Sequence, residues 1–311
     1  MRFAIFGAGA VGGYFGGRLA AAGEDVVFIA RGKHLEALRK NGLTIKSING
    51  NFRLNKVNAT DNPKRVGEVD VVLVGVKAWQ VPEAAEKMTP LVGEDTCVVP
   101  LQNGIDAPKQ LASILGKERV LGGLCRIVSQ VVSPGHIHHT AIEPFISFGE
   151  LDNHYSERAE ILLQAFLRAG VNAEVPADIY ASMWQKFIFI AAISGVGAVT
   201  RSPVGVIRSL PETRELLETA LHEGMAVAQG RGSSLLEDYF SKIMAFIDGM
   251  SPEATASMQR DIVDGLPSEL ASQNGAMVRI GLEIGIKTPV HTFIYHSLLP
   301  QELKARGKYP L

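Results

Sequence analysis

The sequence predicts an α/β fold in which an N-terminal, doubly wound parallel sheet is followed by an all-helical C-terminal domain. Three observations carry this expectation. Short apolar runs alternate with amphipathic stretches through the first part of the chain, a glycine-rich turn joins the first run to the first such stretch, and beyond residue 173 strand-like runs give way to helical spacing. A chain of 311 residues is long for one core, so two domains are expected, 1–172 and 173–311.

The elements follow in order. RFAIF (2–6), VVFIA (26–30), VDVVLVGVK (69–77) and TCVVPLQ (96–102) are continuous apolar runs, as parallel strands covered on both faces require. Amphipathic segments at 10–22, 33–40, 80–89 and 106–115 lie between or after them and read as helices. From 120 to 150, RIVSQVV, GHIHHTA and PFISFGE are strand-like without helices, which predicts an antiparallel extension of the sheet. Helical spacing then covers about 178–194, 211–230, 235–248, 268–285 and 290–299. Pro203, Pro211, Pro252, Pro267 and Pro289 stand between or at the starts of these stretches, where proline punctuates helices.

Composition narrows the function classes. The net charge is -1, from 31 basic and 32 acidic residues, so no basic excess points to nucleic acid or an anionic membrane surface. Two cysteines, Cys97 and Cys125, make neither a disulfide framework nor a zinc spacing, which suits a reducing, cytoplasmic setting. The N-terminal residues have the basic, apolar and small character of a secretory signal, but a more specific glycine pattern accounts for them. The apolar run 187–200 is shorter than the ~20 residues of a membrane span, so no span is expected there. HIHH (136–139) puts His136 and His138 on one strand face, but no nearby cysteine completes a metal set, so no metal site is expected.

GAGAVG (Gly7, Ala8, Gly9, Ala10, Val11, Gly12) is a G-x-G-x-x-G turn after a strand and at the opening of a helix. Glycines there permit a tight turn and let backbone amides approach a pyrophosphate at the helix N-terminus, which predicts a Rossmann-type dinucleotide site. At the end of the second strand, where a carboxylate would hold a ribose 2′-hydroxyl, stands Arg31, with Lys33 nearby. A guanidinium can grip a 2′-phosphate in a fork, so NADPH is expected rather than NADH. Lys77 in GVKAWQ and Asn103 in PLQNG fall at strand ends on the side where ligands lie in such sheets.

In the second half, WQKFIFIAAIS (184–194) is an almost unbroken apolar run with one ammonium, Lys186, at its entrance. Burying a lysine costs free energy unless it is paired or gives up its proton, so the position asks for a reason.

Taken together, these pieces resemble the ketopantoate reductase (2-dehydropantoate 2-reductase) family over essentially the whole chain. The resemblance rests on GAGAVGGYFGGRLAAAG, ARG (30–32), VKAWQ (76–80), LQNG (101–104), Trp184 with Lys186, the SMQRD segment from Ser257, and Glu269 followed by NG at 274–275. It implies a Rossmann domain joined to a helical domain of the 6-phosphogluconate dehydrogenase C-terminal type, with the active site in the cleft. It also implies NADPH-dependent reduction of a 2-oxo acid to a 2-hydroxy acid, ketopantoate to pantoate in the pantothenate pathway. By the same resemblance Lys186 is the proton donor to the carbonyl oxygen. Asn103 lies beside the nicotinamide and ribose, Glu269 hydrogen-bonds that end of the cofactor or the lysine, and Ser257 helps hold the substrate carboxylate. The chemistry is consistent, since hydride addition creates an alkoxide that a cationic donor stabilises and protonates. Glu269 in a first helical turn, and Ser257 at a helix start, would also serve as ordinary helix-end residues.

The chain departs from the family at the substrate side. Pantoate-forming members usually carry asparagines four and eight positions after the lysine, and another about ten further on. Positions four apart share a helical face. Here the first two are Ile190 and Ser194 and the third is Val204 or a neighbour. Hydrogen-bonding pockets discriminate strongly and apolar ones weakly, so the substitutions favour a more apolar oxo acid or another carbonyl as the alternative substrate. A noncatalytic NADPH-binding sensor is the remaining alternative, which retention of Lys186, Asn103 and Glu269 disfavours. The apolar helices of the second half leave a homodimer open.

Overall fold

The structure, a computed structural model, describes residues 1–309. The chain separates into two compact units, Met1–Gln102 with Asp106–Ile179, and Asn103–Ile105 with the chain from Tyr180 onward.

The first unit is built on five parallel strands, β1 (Arg2–Phe6), β2 (Asp25–Ile29) and three later ones, with three short strands and the two arms of a long hairpin forming a second sheet. In chain order the remaining strands are β3 (Leu43–Ser47), β4 (Phe52–Leu54), β5 (Asn58–Thr60), β6 (Val71–Val74), β7 (Cys97–Pro100), β8 (Leu121–Ser133), β9 (His136–Glu150) and β10 (Asn172–Glu174). The parallel sheet runs β5-β2-β1-β6-β7, the doubly wound order in which the strand sequence reverses beside β1. Alternation along the strands explains the apolar runs. Phe3, Ile5, Val71 and Leu73 enter the core on one face, while Ala4, Phe6, Val72 and Val74 enter the core on the other.

Helices α1 (Ala10–Ala21), α2 (Gly32–Asn41), α3 (Val81–Met88) and α4 (Ala107–Leu115) fall where the amphipathic segments predict them. A fifth, α5 (Glu157–Arg168), opens on Ser156, whose hydroxyl accepts the Ala159 N–H.

The strands after residue 120 do not extend the parallel sheet. β8 and β9 form the expected antiparallel hairpin, but β9 also pairs in parallel with β3 and β10, giving a separate sheet β10-β9-β3-β4 with β8 on β9. Helix α1 explains the separation, because it packs against both sheets. A Cβ at Gly16 would meet Ile5 of β1 at 2.5 Å, and one at Gly13 or Gly17 would meet Ile137 at 2.3 Å or Ile45 at 2.5 Å. The GGYFGG pattern lets the helix approach two sheets at once. The histidine run lies in this second sheet. His139 is fully buried, and its Nε2–H faces the carbonyls of Ile142 (2.8 Å) and Ala141 (3.1 Å), leaving Nδ1 to accept from Ser47 Oγ at 2.8 Å. Among the described residues no group of three His, Cys, Asp or Glu is arranged to hold a metal ion.

The second unit is helical, with α6 (Ile179–Thr200), α7 (Val204–Ser209), α8 (Pro211–Gly230), α9 (Tyr239–Gly249), α10 (Ser257–Val263), α11 (Asn274–Glu283) and α12 (Pro289–Ala305). Helix α6 has 22 residues, so the length argument drawn from 187–200 does not hold, and by length and composition α6 could cross a membrane. Packing accounts for its composition, since 67% of its most apolar window is buried. Trp184, Phe187, Ile188, Ala191, Ala192 and Val196 join residues of α8, α11 and α12 in one core.

Candidate active site

In the first unit the glycine loop lies between the end of β1 and the start of α1. Gly7 has φ +99°, and a Cβ there would come within 2.8 Å of Val76. A Cβ at Gly12 would stand 2.3 Å from the Gly7 carbonyl oxygen, so the turn closes only without side chains. Gly9 caps α1, and a Cβ built on it meets nothing within 4 Å, so open space lies before a helix N-terminus with no acidic residue in its first turn. These are the features that fit a pyrophosphate. Arg31 and Lys33 are exposed just past β2, with Arg31 at the cap of α2. Lys77 is half-buried after β6, its ammonium 5.9 Å from the centre of the Trp79 ring, and its N–H donates to Gln80 Oε1 at 3.2 Å. Gln102, unremarked within LQNG, ties the ends of two neighbouring strands together, donating from Nε2 to the carbonyls of Val74 (2.7 Å) and Val76 (3.0 Å).

In the second unit α6 carries the lysine. Its first half exposes a narrow stripe in which Ser182, Gln185, Lys186, Phe189 and Ile190 are half-buried, while Trp184, Phe187 and Ile188 point into the core. Lys186 and Ile190, four apart, share this stripe. From Ala191 to Ala198 the helix is buried all round. Ser194 is therefore fully enclosed, with its hydroxyl 2.6 Å from Gln273 Oε1 and also against the carbonyl of Ile190. Val204 is buried at the start of α7.

Glu269 is buried and caps a single 3-10 turn, Leu270–Ser272, ahead of α11. Its carboxylate gathers side-chain amides, for Asn103 Nδ2 donates to Oε2 at 3.3 Å and Gln273 Nε2 donates to the same oxygen at 3.4 Å. The backbone before it is held separately. Glu302 on α12 accepts the Ser268 N–H at 3.0 Å and its hydroxyl at 2.6 Å, while Arg306, paired with Glu302, donates to the Ser268 carbonyl at 2.8 Å. Ser268 Oγ in turn accepts the Leu270 N–H at 3.2 Å. Glu269 therefore does not sit in a first helical turn, as the sequence suggested, but at the cap of the 3-10 turn, where its side chain makes no capping hydrogen bond and the Ser268 hydroxyl takes the Leu270 N–H instead. Ser257 is the first residue of α10 and half-buried, and Ala256 occupies its cap.

The structure thus joins Asn103 to Glu269 directly and Ser194 to Glu269 through Gln273. Gln273 escaped sequence reasoning, although its place just before the quoted NG at 274–275 marked the segment. Neighbouring Asn274 is equally buried, donating to the Ala191 carbonyl (3.1 Å) and to His291 Nδ1 (3.0 Å). His291 Nε2–H faces the Ala220 carbonyl at 3.0 Å, and full burial lowers the His291 pKa to about 4.

Comparisons with known proteins cover both parts of the chain. The family model for ketopantoate reductase PanE/ApbA matches residues 3–153, and the model for its C-terminal domain matches residues 178–302. A Bacillus subtilis protein named uncharacterized oxidoreductase YkpB is 34% identical over 306 residues, covering 96% of this chain and 98% of that one. The 2-dehydropantoate 2-reductase of a Nostoc species is 30% identical over 302 residues, covering 96% and 94%. The crystal structure of 2-dehydropantoate 2-reductase from Geobacter metallireducens superimposes with a TM-score of 0.91 at 34% identity, covering 97% and 99%. With both halves matched by the family's models, the chain is an oxidoreductase that belongs to the ketopantoate reductase family.

Proposed function

We propose that this oxidoreductase reduces a 2-oxo acid with NADPH, and that its substrate is 2-dehydropantoate, giving pantoate. The observation that carries the reading is that one unit of the chain holds both an ammonium, Lys186, on the accessible stripe of an otherwise apolar helix and a buried carboxylate, Glu269, that accepts from Asn103 and Gln273. The reduced nicotinamide, when bound, supplies a hydride to the carbonyl carbon. The residues do the rest. The backbone amides at the start of α1 hold the pyrophosphate, Arg31 grips the 2′-phosphate, and Lys77, Asn103 and Glu269 bind and orient polar parts of the cofactor. Lys186 attracts the anionic oxo acid, holds its carbonyl oxygen, and passes a proton to that oxygen as the alkoxide forms. Ser257 contributes to the substrate carboxylate. Cys97 and Cys125, buried and in no disulfide, suit a reducing, cytoplasmic setting.

A second reading has its own observation. Ile190, one turn beyond Lys186 on the same stripe, offers no hydrogen bond to a substrate hydroxyl. This favours a more apolar 2-oxo acid over 2-dehydropantoate, because an apolar wall discriminates against a hydroxyl only weakly. Following NADPH oxidation with a panel of 2-oxo acids, against NADH, decides between them. The highest kcat/KM with 2-dehydropantoate supports the first reading, and a higher value with an unhydroxylated oxo acid supports the second. Tight NADPH binding without turnover of any of them would sink both and leave a nucleotide-binding sensor.

A further inference from the structure

We propose that Ser194 and Gln273 are positioning residues for Glu269, acting as one hydrogen-bonded unit, and that Ser194 does not contact the substrate. The inference rests on the proposed reduction for its kinetic consequences. Helical spacing alone puts Ser194 on the face of Lys186 and Ile190, two turns along. Its surroundings say otherwise, since the hydroxyl is fully buried and both of its acceptors lie inside the protein, Gln273 Oε1 at 2.6 Å and the Ile190 carbonyl.

Gln273 is also fully buried, so both ends of its amide must be satisfied within the protein. One orientation does this beside the Glu269 carboxyl group. Nε2 faces the carboxylate at 3.4 Å, and Oε1 shares the serine proton with the Ile190 carbonyl. With the amide turned over, Oε1 would face the carboxylate, oxygen against oxygen. Ser194 therefore has a defined part, keeping Gln273 Oε1 from being buried without a donor. Without the hydroxyl, the glutamine must either bear that cost or move, and moving takes a donor away from Glu269. The backbone of the segment is fixed independently through Ser268, Glu302 and Arg306. What Ser194 and Gln273 add is the direction of the side chains, reaching across 79 residues of sequence.

The test uses Ser194→Ala, Gln273→Leu and the double variant in the full chain. Gln273→Leu is expected to lower kcat about tenfold and Ser194→Ala about threefold, each with the KM for the oxo acid changed less than about twofold. The double variant should cost no more than Gln273→Leu alone, because both act through one chain of bonds. A raised KM in Ser194→Ala at unchanged kcat would make Ser194 a substrate contact and overturn the proposal, as would additive losses. Should Gln273→Leu fail to fold, Ser194→Ala, which removes one oxygen, still gives the KM-against-kcat comparison. A second readout needs no substrate. The Gln273 side-chain amide protons should exchange slowly with solvent in the native chain and faster in Ser194→Ala. Equal exchange in the two proteins overturns the proposal even if no oxo acid is turned over, which separates its failure from failure of the proposed reaction.

Discussion

The glycine loop of the first unit and the Glu269 segment of the second both hold polar groups ready, but they are made of different material. The loop is backbone. Its donors are peptide N–H groups at the start of α1, its shape depends on the absence of side chains at Gly7 and Gly12, and Gly9 leaves open space before the helix. The Glu269 segment is side chain, a buried set of amides, a hydroxyl and carboxylates on α6, α11, α12 and the LQNG turn. Peptide groups do not titrate, and the N–H groups that a helix start leaves open can be satisfied by water or by a ligand. Buried side chains must each be satisfied, and the ionisable ones tie the unit to pH. The same function of presenting a charge or a dipole therefore carries different vulnerabilities in the two places.

Acid should expose the difference first and most strongly. His291 has its pKa lowered to about 4 by burial, from an ordinary value of 6.5. Below pH 6.5 the unfolded chain takes up a proton that the folded chain refuses, so this contribution is complete above pH 6.5 and is lost as pH falls toward about 4. The loss is on the order of 3 kcal/mol. Glu223, whose pKa is raised by burial although it accepts the N–H groups of Val290 and His291, acts in the opposite sense. Its folded form binds a proton more readily, which offsets part of the loss. Chemical denaturation between pH 7 and 4 should show the native chain losing more stability than His291→Gln. Parallel curves for the two would break this part of the comparison.

The loop should respond to volume. Gly12→Ala puts a Cβ against the Gly7 carbonyl and is expected to destabilise the protein by about 1–3 kcal/mol as well as abolish nucleotide binding. Gly9→Ala adds a Cβ to open space, so stability should stay within ~0.5 kcal/mol while dinucleotide affinity drops roughly tenfold. Thermal melts beside nucleotide titrations read the pair. A Gly9→Ala protein that binds normally would mean that the open space is not where the pyrophosphate lies.

A smaller and more selective effect is expected at Arg31, which is exposed and lies beyond the turn. Arg31→Ala should weaken NADPH about 10–100-fold, in line with losing charge-assisted hydrogen bonds, and leave NADH nearly unchanged. Equal weakening of both would move Arg31 from 2′-phosphate recognition to a general electrostatic role.

How much of this was legible in the sequence follows the same division. β1, β2, β6, β7 and α1 to α4 were readable because runs covered on both faces and amphipathic helices repeat within a few residues. The glycine loop was readable because it is contiguous. The second sheet was not, since β9 pairs with β3 across about ninety residues and only the GGYFGG spacing hinted that α1 serves two sheets. α5 carried a local signal in Ser156 and the acids after it, which the reading passed over. At the site, Lys186 stood out as a charge in an apolar run. The burial of Ser194 could not be seen, because helical spacing fixes a face but not what covers it. Gln273 reaches Ser194 only through the fold.

The most direct test of the account is Lys186→Ala, with NADPH binding and NADPH oxidation measured on the same protein. Proton donation by Lys186 predicts that kcat for the best 2-oxo acid falls by ~10²–10⁴-fold. The dissociation constant for NADPH should stay within about threefold, because the loop and Arg31 that hold the nucleotide are untouched. Turnover that survives the substitution nearly intact would contradict the account, and the ammonium at the entrance of α6 would then need another explanation.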